Sequence, residues 1–376
     1  MLYEVPELED VDQDVLVQLD AIRQDLRHQV AEPRRWTGLL RRSLIAAAIR
    51  GSNSIEGYQV TQDDAEAALQ GAEPMDADPD TWAEIIGYRD ALTYVQQLGS
   101  NEQFQWQHML FSALHFMLLR HRMLIGPGRY RPGGIYVTDS TTGTAVYRGP
   151  DADAVPDLMR ELCDWLDNGD LDAHFYIRAA MAHLNLVSIH PWRDGNGRMS
   201  RCVHTLVLAR SGVLAPEFSS IEEWLGAGRN TYDYYDALKT VQHGEFRPHG
   251  DTLSWVRFCL RAHHLQTQLV QRRLDDAARL WLVVDELASA MGLPERTVTV
   301  LFEAAKGGRV RRTGYQRDER LSLDQAARDL RELLRAGLVE QRGETRGRYY
   351  VASEMLRQRT EQVRPTVDPL RDPYHR

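Results

Sequence analysis

The feature that most constrains this chain is a polar stretch at residues 190–201, which reads His-Pro-Trp-Arg-Asp-Gly-Asn-Gly-Arg-Met-Ser-Arg. Apolar residues at helical spacing flank it on both sides, so the pattern predicts two helices joined by a short polar turn. Proline cannot continue the first helix, and the two glycines allow the backbone to turn tightly. We expect Asp194 or Asn196 to cap the second helix.

The start of that second helix predicts a site for phosphate groups. A helix N-terminus presents unpaired backbone N–H groups and the positive end of its dipole, and both favour anions. Arg198 and Arg201 add forked donors that suit phosphate oxygens. His190 is suited to act as a general base, and Asp194 to bind Mg²⁺. Any one of these residues alone is typical of a simple polar corner, but their combination favours phosphate chemistry.

The stretch resembles the signature of the Fic family, His-x-Phe-x-Asp/Glu-Gly-Asn-Gly/Lys-Arg-x-x-Arg, with Trp192 where the family usually has Phe. The resemblance implies a mainly α fold, a Fic-type helical bundle with a β-hairpin flap. It implies a nucleotidyltransferase that moves AMP from ATP to a Ser, Thr or Tyr hydroxyl of a protein, with His190 as the catalytic base and Mg²⁺ held by Asp194. The implied nucleotide-binding residues within the signature are Asp194, Gly195, Asn196, Gly197, Arg198, Met199, Ser200 and Arg201.

A second motif precedes the signature, at the end of a helix predicted over residues 34–50. From the residues alone, Ser52-Asn53-Ser54-Ile55-Glu56-Gly57 is typical of a surface loop with an incidental acid. The segment resembles, however, the inhibitory motif Ser/Thr-x-x-x-Glu-Gly/Asn of many Fic proteins. By that resemblance Ser52, Glu56 and Gly57 are regulatory. Glu56 would pair with Arg201, deny the γ-phosphate of ATP its partner and so autoinhibit the enzyme.

Residues 126–150 interrupt the helical pattern. Two short β-prone runs, at 135–137 and 145–147, surround a polar turn that contains glycine, and they predict a hairpin. The resemblance implies that this hairpin is the Fic flap, which binds the target protein by strand addition. The flap residues that it places near the nucleotide are Val137, Thr138, Asp139 and Ser140.

A helix predicted over residues 221–242 carries a cluster of tyrosines. Such clusters are more often packing features than platforms for a base, yet this one resembles the Tyr-Tyr-x-x-Leu helix of the adenosine pocket in Fic proteins. By that match Tyr234 and Tyr235 flank the nucleotide. Gln242 stands in the same pocket, at a position where relatives often have Asn.

The C-terminal part of the chain has the order of a winged helix: three predicted helices, then two strand-like runs around a tip rich in Arg and Gly. Residues 306–348 contain 12 basic and 7 acidic residues, a net charge of +5 within a chain of net charge −9. This pattern is consistent with DNA contact by the third helix and the wing. It is equally consistent with a protein-docking module whose arginines form salt bridges.

The composition sets broader limits. The net charge of −9 argues against nucleic-acid binding by the chain as a whole. Neither a membrane-spanning run nor a signal peptide is recognisable, so we expect a cytoplasmic protein. Cys163, Cys202 and Cys259 lack the spacing of metal ligands and are predicted to be buried thiols in a reducing compartment.

These patterns divide the chain into four predicted regions. They are an N-terminal helical region with the inhibitory motif (1–100), a Fic catalytic core (101–272), a winged-helix-like domain (273–355) and a loose tail (356–376). The expected partners are a protein target bound through the flap, the chain itself as a target of self-AMPylation, a second copy in a homodimer, and DNA, with no membrane. Two alternatives stay open: a Fic enzyme that removes AMP or uses another nucleotide donor, and a nucleotide-sensing regulator that binds DNA.

Overall fold

The structure is a computed structural model, and it describes residues 1–32, 34–138, 143–212, 214–344, 347–362 and 368–375. Within these ranges the chain is mainly helical, as predicted, and has two small antiparallel sheets. Strand β1 (Tyr136–Thr138) pairs with β2 (Ala145–Arg148), and β3 (Val339–Arg342) pairs with β4 (Tyr349–Ala352). Both hairpins lie where the sequence predicts them.

The α-helices are α1 (Asp10–Ala31), α2 (Arg35–Ile55), α3 (Gln62–Leu69), α4 (Pro79–Leu98), α5 (His108–Leu119), α6 (Val155–Asn168), α7 (Phe175–Ile189), α8 (Asn196–Arg210), α9 (Glu222–Leu225), α10 (Arg229–Gln242), α11 (Leu253–Ala290), α12 (Val298–Ala305), α13 (Arg312–Asp318), α14 (Leu323–Arg335) and α15 (Glu354–Glu361). Short 3₁₀ helices lie at Met123–Ile125, Ala152–Ala154, Pro216–Phe218 and Glu295–Thr297. None of the described helices has the length and apolar character that crossing a bilayer requires.

The apolar side chains form two cores. The first surrounds α7 and α8, which are buried along almost their whole length and are enclosed by α4, α5, α6, α10 and the first half of α11. The second lies among α12, α14, the β3–β4 hairpin and the second half of α11. Helix α2 belongs to both, because Ile49 packs in the first core whereas Trp36, Leu40 and Leu44 pack in the second.

Helix α2 is longer than the sequence predicts. It continues past residue 50 to Ile55, so the segment of the predicted inhibitory motif forms the last turn of a helix instead of a loop. Gly51 does not end the helix because it is pressed against α9: a Cβ atom there would lie 2.3 Å from the carbonyl oxygen of Glu222. The helix ends before Gly57, whose φ of +91° is a left-handed conformation that favours glycine.

The predicted boundary between residues 272 and 273 falls inside one helix. The sequence pattern predicts a core helix that ends at 272 and a separate helix that begins at 279, but α11 is continuous over 38 residues. The segment contains neither Gly nor Pro, and its apolar stripe continues through Val270, Leu274 and Ala277 into the second core. With no residue that breaks the helix, the two predicted helices merge.

The helix predicted over residues 221–242 is, conversely, interrupted. Helix α9 ends at Leu225 and α10 begins at Arg229. Gly226 lies so close to α2 that a Cβ atom would be 2.5 Å from the Cα of Gly51, and Gly228 has a φ of +56°. Two glycines therefore break the helix where it crosses α2.

The predicted loose tail is docked in its described parts. Helix α15 buries Leu356 in the second core, and the side chain of Ser353 caps it. Further on, Arg261 of α11 forms an ion pair with Asp372 at 2.5 Å, and the Tyr374 hydroxyl donates to Asp12 of α1 at 3.0 Å. The last residues are rich in proline and charge, which predicts a loose tail, but the charge of Asp372 forms an ion pair with the helical body.

The sequence also predicts helix N-caps at Thr61 and Ser322, and the structure confirms both. Thr61 accepts a hydrogen bond from the backbone N–H of Asp64 at the start of α3, at 3.1 Å. Ser322 accepts one from Gln325 at the start of α14, at 3.2 Å. The three cysteines are buried free thiols, as expected.

The basic residues of the C-terminal part are not all free to meet DNA. Arg309 pairs with Asp63 and Asp76, Arg311 donates to the carbonyls of Glu73 and Pro74, and Arg317 donates to the carbonyl of Gln70. These contacts join the module to α3 and the segment that follows it. Exposed arginines remain at positions 312, 320, 328, 331, 335, 342 and 348.

Candidate active site

The turn between α7 and α8 differs from the prediction in the residue that caps α8. Gly195, with a φ of +78°, is the N-cap of α8, and neither Asp194 nor Asn196 caps the helix as expected. A Cβ atom at Gly195 would lie 2.7 Å from the Cδ1 of Leu119, so both space and backbone conformation require glycine. Asn196 instead braces the turn, donating to the carbonyl of Trp192 at 2.9 Å and accepting from its N–H at 3.0 Å.

His190 ends α7 in a left-handed conformation, with φ 51° and ψ 58°. Its Nδ1 lies 3.0 Å from the carbonyl oxygen of Val187, which can only accept, so Nδ1 carries the proton and Nε2 is free to accept one. Burial lowers the pKa of His190 to about 4, and the hydrogen bond to Val187 opposes that shift only in part. The ring is therefore neutral at physiological pH, as a general base must be.

Arg201 is bound through its Nε and Nη2 by the segment of the predicted inhibitory motif. Its Nε donates to the hydroxyl of Ser52 at 2.7 Å, and its Nη2 donates to the carbonyl of Ser52 at 3.1 Å and to Oε1 of Glu56 at 2.6 Å. The Arg201 side chain is 1% exposed and that of Glu56 is 24% exposed. The structure thus places Glu56 against Arg201, as the resemblance implies.

The carboxylate of Glu56 also lies over the first turn of α8. A Cβ atom at Gly197 would be 2.8 Å from Oε1 of Glu56. The first backbone N–H that pairs with the N-cap residue is that of Met199, which donates to the carbonyl of Gly195 at 2.9 Å. The N–H groups before it belong to the anion-binding end of the helix, so Glu56 lies where a phosphate would bind.

Arg198 has a carboxylate partner that the sequence analysis missed. Its Nη1 is hydrogen-bonded to Glu84 of α4, and both side chains are almost fully buried. Burial would raise the pKa of Glu84, but the charge of Arg198 and its hydrogen bond outweigh burial and lower it. Tyr58 donates to the same carboxylate at 2.8 Å, and Nε2 of His121 lies 3.0 Å from it. No motif marks Glu84, because α4 reaches the site only through tertiary packing.

Asp194, the predicted Mg²⁺ ligand, has Arg122 as its ion-pair partner through Oδ2. Its Oδ1 accepts from the N–H of Gly195 at 2.6 Å. Among the described residues, no three His, Cys, Asp or Glu side chains form a group that could hold a metal ion. A lone carboxylate is nevertheless compatible with Mg²⁺, which is often bound by one or two carboxylates together with substrate phosphates.

Trp192, which replaces the usual Phe, is a buried anchor. It stacks on His115 with ring centroids 4.5 Å apart and an interplanar angle of 7°. His115 accepts from the N–H of Gly128 at 2.8 Å and lies 2.9 Å from the carbonyl of Asp194, so it joins the site turn to the segment before the flap. The sequence predicts His108 and His115 to be packing or surface residues, and for His115 the structure adds this bridging role.

Arg131 fixes the base of the flap to the site. Its Nε donates to the carbonyl of His190 at 2.8 Å, its Nη2 to that of Pro150 at 2.5 Å, and its backbone N–H to that of Pro191 at 2.9 Å. Val137 and Thr138 lie on β1, whereas Asp139 and Ser140 lie outside the described residues. The proximity of these flap residues to a nucleotide stays a prediction.

The other predicted pocket residues have structural partners. The Tyr234 hydroxyl lies 3.0 Å from Nε2 of His183 inside the core, and Gln242 donates to the Ser188 hydroxyl at 2.8 Å. Tyr235 is exposed, and its hydroxyl donates to the carbonyl of Ile55 at 3.0 Å, next to Glu56. Met199 is buried, and the Ser200 hydroxyl donates to the carbonyl of Asn196. Their nucleotide contacts also stay predictions.

Residues 108–208 match the model of the Fic/DOC family. The chain contains a Fic domain. The matched range begins with α5 and ends within α8, so the Fic domain includes the flap, His190 and both arginines of the signature. It lies inside the predicted catalytic core.

Curated relatives share part of this chain. It is 26% identical over 266 residues to "Protein adenylyltransferase Fic" of Nematostella vectensis, which covers 68% of this chain and 56% of that protein. It is 32% identical over 203 residues to the protein of the same name from Drosophila willistoni, which covers 52% of this chain and 37% of that protein. The chain thus matches about half, or less, of the length of these relatives.

Solved structures of Fic proteins share the fold. A Fic family protein from Desulfovibrio desulfuricans G20 has a TM-score of 0.58 and 21% identity, covering 94% of this chain and 99% of that one. Fic-1 from C. elegans has a TM-score of 0.53 and 23% identity, covering 70% and 71%. The likeness to the bacterial protein extends beyond the Fic domain to nearly the whole chain.

Proposed function

We propose that this chain is a protein adenylyltransferase, which transfers AMP from ATP to a Ser, Thr or Tyr hydroxyl of a protein and is held inactive by Glu56. The observation that carries the proposal is the combination of a neutral His190 with the α8 N-terminus and its two buried arginines. The names of the curated relatives support the same reaction.

In the proposed reaction, Nε2 of His190 takes the proton of the target hydroxyl. The oxygen forms a bond to the α-phosphorus of ATP while the bond to the bridging oxygen breaks, and pyrophosphate leaves. Negative charge that builds up on the phosphate oxygens is stabilised by the N–H groups that begin α8 and by Arg198. The buried Nε of Arg198 has no hydrogen-bond partner within the described part of the chain, so it has a donor left for a phosphate oxygen.

Asp194 would hold Mg²⁺, which supplies positive charge to the phosphates when it is bound. Its side chain is 35% exposed, so a hydrated ion can reach it. The rest of the proposed site is supplied by the chain itself: Arg131 orients the His190 turn, and the flap presents the target segment.

We further propose that Glu56 is autoinhibitory. Its carboxylate holds Arg201 and lies over Gly197, so a γ-phosphate and Glu56 compete for the same guanidinium and the same helix end. Release of Glu56 would free Arg201 for ATP. The remaining expectations are proposals of the same kind: a cytoplasmic location, self-AMPylation, a homodimer and DNA contact through the exposed arginines of the C-terminal module.

The position of Glu56 also suits a second reaction. A carboxylate above the phosphate-binding end of α8 can orient a water molecule, which would let the enzyme remove AMP from a modified protein. The two directions differ in how they respond to Glu56→Gly, because transfer should rise whereas removal should be lost. A regulator that only senses nucleotide and binds DNA would instead retard DNA in a mobility-shift titration at low salt.

The first experiment compares wild type, Glu56→Gly and Glu56→Gly/His190→Ala, each incubated with Mg²⁺ and ATP labelled on the α-phosphate. We expect strong label on Glu56→Gly alone, with one added AMP or more by intact mass. If none is labelled although ATP binds, another donor, AMP removal or nucleotide sensing replaces the proposal. If ATP does not bind, the phosphate site itself has been misassigned.

A further inference from the structure

Four alternating charges form a row across the site. Arg122 Nη1 contacts Oδ2 of Asp194 and lies 3.7 Å from Oε1 of Glu84, and the other oxygen of Glu84 binds Arg198. The row therefore runs from the predicted metal ligand, through Arg122 and Glu84, to an arginine of the phosphate site. Arg122 is the one member of the row that lies between two carboxylates.

The two carboxylates are not equally supplied with partners. Glu84 is 3% exposed and is already bound by Arg198, by the Tyr58 hydroxyl and by His121. The carboxylate of Asp194 has the N–H of Gly195 and the guanidinium of Arg122 as partners. Arg122 is thus the principal neutralising charge of Asp194, whereas Glu84 keeps its charge compensated without Arg122.

Arg122 also lies at the partly exposed edge of the site. Its side chain is 39% exposed, and it lies just before the short 3₁₀ helix at Met123–Ile125, outside the body of α5. A guanidinium and a divalent cation cannot both take the same carboxylate oxygen. Glu84 is already within ion-pair distance of Arg122 Nη1, so a small rotation of the side chain would move this nitrogen from Asp194 to Glu84. Arg122 would then have a carboxylate partner both before and after the rotation.

We propose that Arg122 is an internal competitor of the metal ion: it occupies the carboxylate of Asp194 while no metal is bound, and it transfers to Glu84 when the metal arrives. Arg122 is thus a positioning residue, which neutralises the carboxylate of Asp194 while no metal ion is bound. The inference rests on the proposed function, in which Asp194 is the metal ligand. It predicts that removing the charge of Arg122 strengthens metal binding, whereas removing the charge of a nearby arginine that does not contact Asp194 leaves it unchanged.

The test uses Mn²⁺ as the probe and measures its binding to the nucleotide-free, full-length protein by the electron paramagnetic resonance signal of the free ion. We expect Arg122→Gln to bind Mn²⁺ about fivefold more tightly than wild type, as befits the loss of a partly exposed ion pair. Arg120→Gln is the matched control, because Arg120 is a neighbouring exposed arginine that pairs with Asp90 instead. It should leave Mn²⁺ affinity unchanged.

Asp194→Asn separates failure of the inference from failure of the proposed metal site. If Asp194→Asn leaves Mn²⁺ binding unchanged, Asp194 does not bind the ion without substrate phosphates, which overturns the inference but leaves the proposed function to the AMP-transfer experiment. If Asp194→Asn abolishes binding but Arg122→Gln leaves the affinity unchanged or weakens it, the competitor inference alone is overturned. A crystal of the wild type with Mn²⁺ gives an independent check: Arg122 should contact Glu84, and an Arg122 still bound to Asp194 would contradict the exchange.

Discussion

His190 combines an unusual backbone with an ordinary hydrogen bond. A left-handed conformation at a residue other than glycine costs on the order of 1 kcal/mol, and packing of the turn must compensate for it. Here the carbonyl of His190 is held by Arg131, and its Nδ1 by the carbonyl of Val187. His190 therefore leaves the path of α7 at this residue, and the hydrogen bond of its Nδ1 fixes the tautomer of the ring.

The pKa of His190 leads to a first prediction, for the activity of Glu56→Gly at saturating nucleotide. Since the pKa is lowered to about 4 from an ordinary value near 6.5, the base form persists as the pH falls through 6. As long as the variant stays folded, the rate of AMP transfer should be nearly constant from pH 8 to about 5.5 and should show no titration near pH 6.5. A rate that halves near pH 6.5 would show that the imidazole is not buried during the reaction.

A second prediction concerns the ion pair of Glu56 with Arg201. Glu56→Gly leaves a buried guanidinium with Ser52 as its main remaining partner, so it should lower the free energy of unfolding by about 1–3 kcal/mol without nucleotide. ATP with Mg²⁺ should then raise the melting temperature of the variant more than that of wild type, because ATP no longer competes with Glu56. Equal ATP-induced shifts in the two proteins would contradict the competition.

At the scale of elements, α2 connects Glu56, for which we propose an inhibitory role, to the C-terminal module. Its last turn holds Arg201, and its first half is bound by that module through ion pairs as well as apolar packing. Arg42 forms a bidentate pair with Asp318, at 2.9 Å for each bond, and also contacts Glu303. Arg35 pairs with Glu295 at 2.7 Å and with Glu319 at 2.6 Å.

The third prediction follows from this clamp. Arg42→Ala should loosen the first half of α2 and raise self-labelling with AMP severalfold over wild type, though less than Glu56→Gly does, because Glu56 itself remains. Arg41→Ala is the matched control, since Arg41 is the preceding residue on the same helix and contacts Glu217 at 3.5 Å and the ring of Phe218 instead of the C-terminal module. Labelling that stays at the wild-type level in Arg42→Ala would mean that the clamp does not influence Glu56.

The elements and site residues that could be predicted from the sequence are those that depend on residues adjacent in the chain. The signature turn, the hairpins and the caps at Thr61 and Ser322 all depend on residues close together in the chain. Glu84 and Arg122 could not be found in this way, because they meet the signature only after α4 and α5 have packed on α8. The continuity of α11 was missed because a single sequence does not show which amphipathic stripe passes from one core into the next.

At the scale of the whole molecule, the first core contains a set of buried histidines. His183, His204 and His263 are fully enclosed; Nε2 of His204 and Nε2 of His263 are 2.8 Å apart, and His183 contacts Tyr234. Burial lowers the pKa of all three, that of His204 to about 3. The folded protein keeps these rings neutral, whereas the unfolded chain protonates them near pH 6.5.

The fourth prediction is therefore that the fold is sensitive to mild acid. The unfolded state binds more protons below pH 6.5, so stability falls with decreasing pH by about 1.4 kcal/mol per pH unit for each such histidine. The melting temperature should drop steeply between pH 6.5 and 5, and His204→Gln should flatten that dependence. His249→Gln, at an exposed position, should leave the slope unchanged. A slope that does not respond to His204→Gln would assign the acid sensitivity to other groups.

The uninterrupted α11 has a practical consequence for anyone who wishes to isolate the Fic domain. A chain cut at residue 272 would sever that helix and uncover Trp36, Leu40 and Leu44, and each such side chain contributes about 1.5–3 kcal/mol when it is buried. Helix α2 would then fray from the end opposite Glu56. The trimmed enzyme would be less stable and also less inhibited, so its raised activity would record a damaged scaffold and could be mistaken for the effect of a natural activating signal.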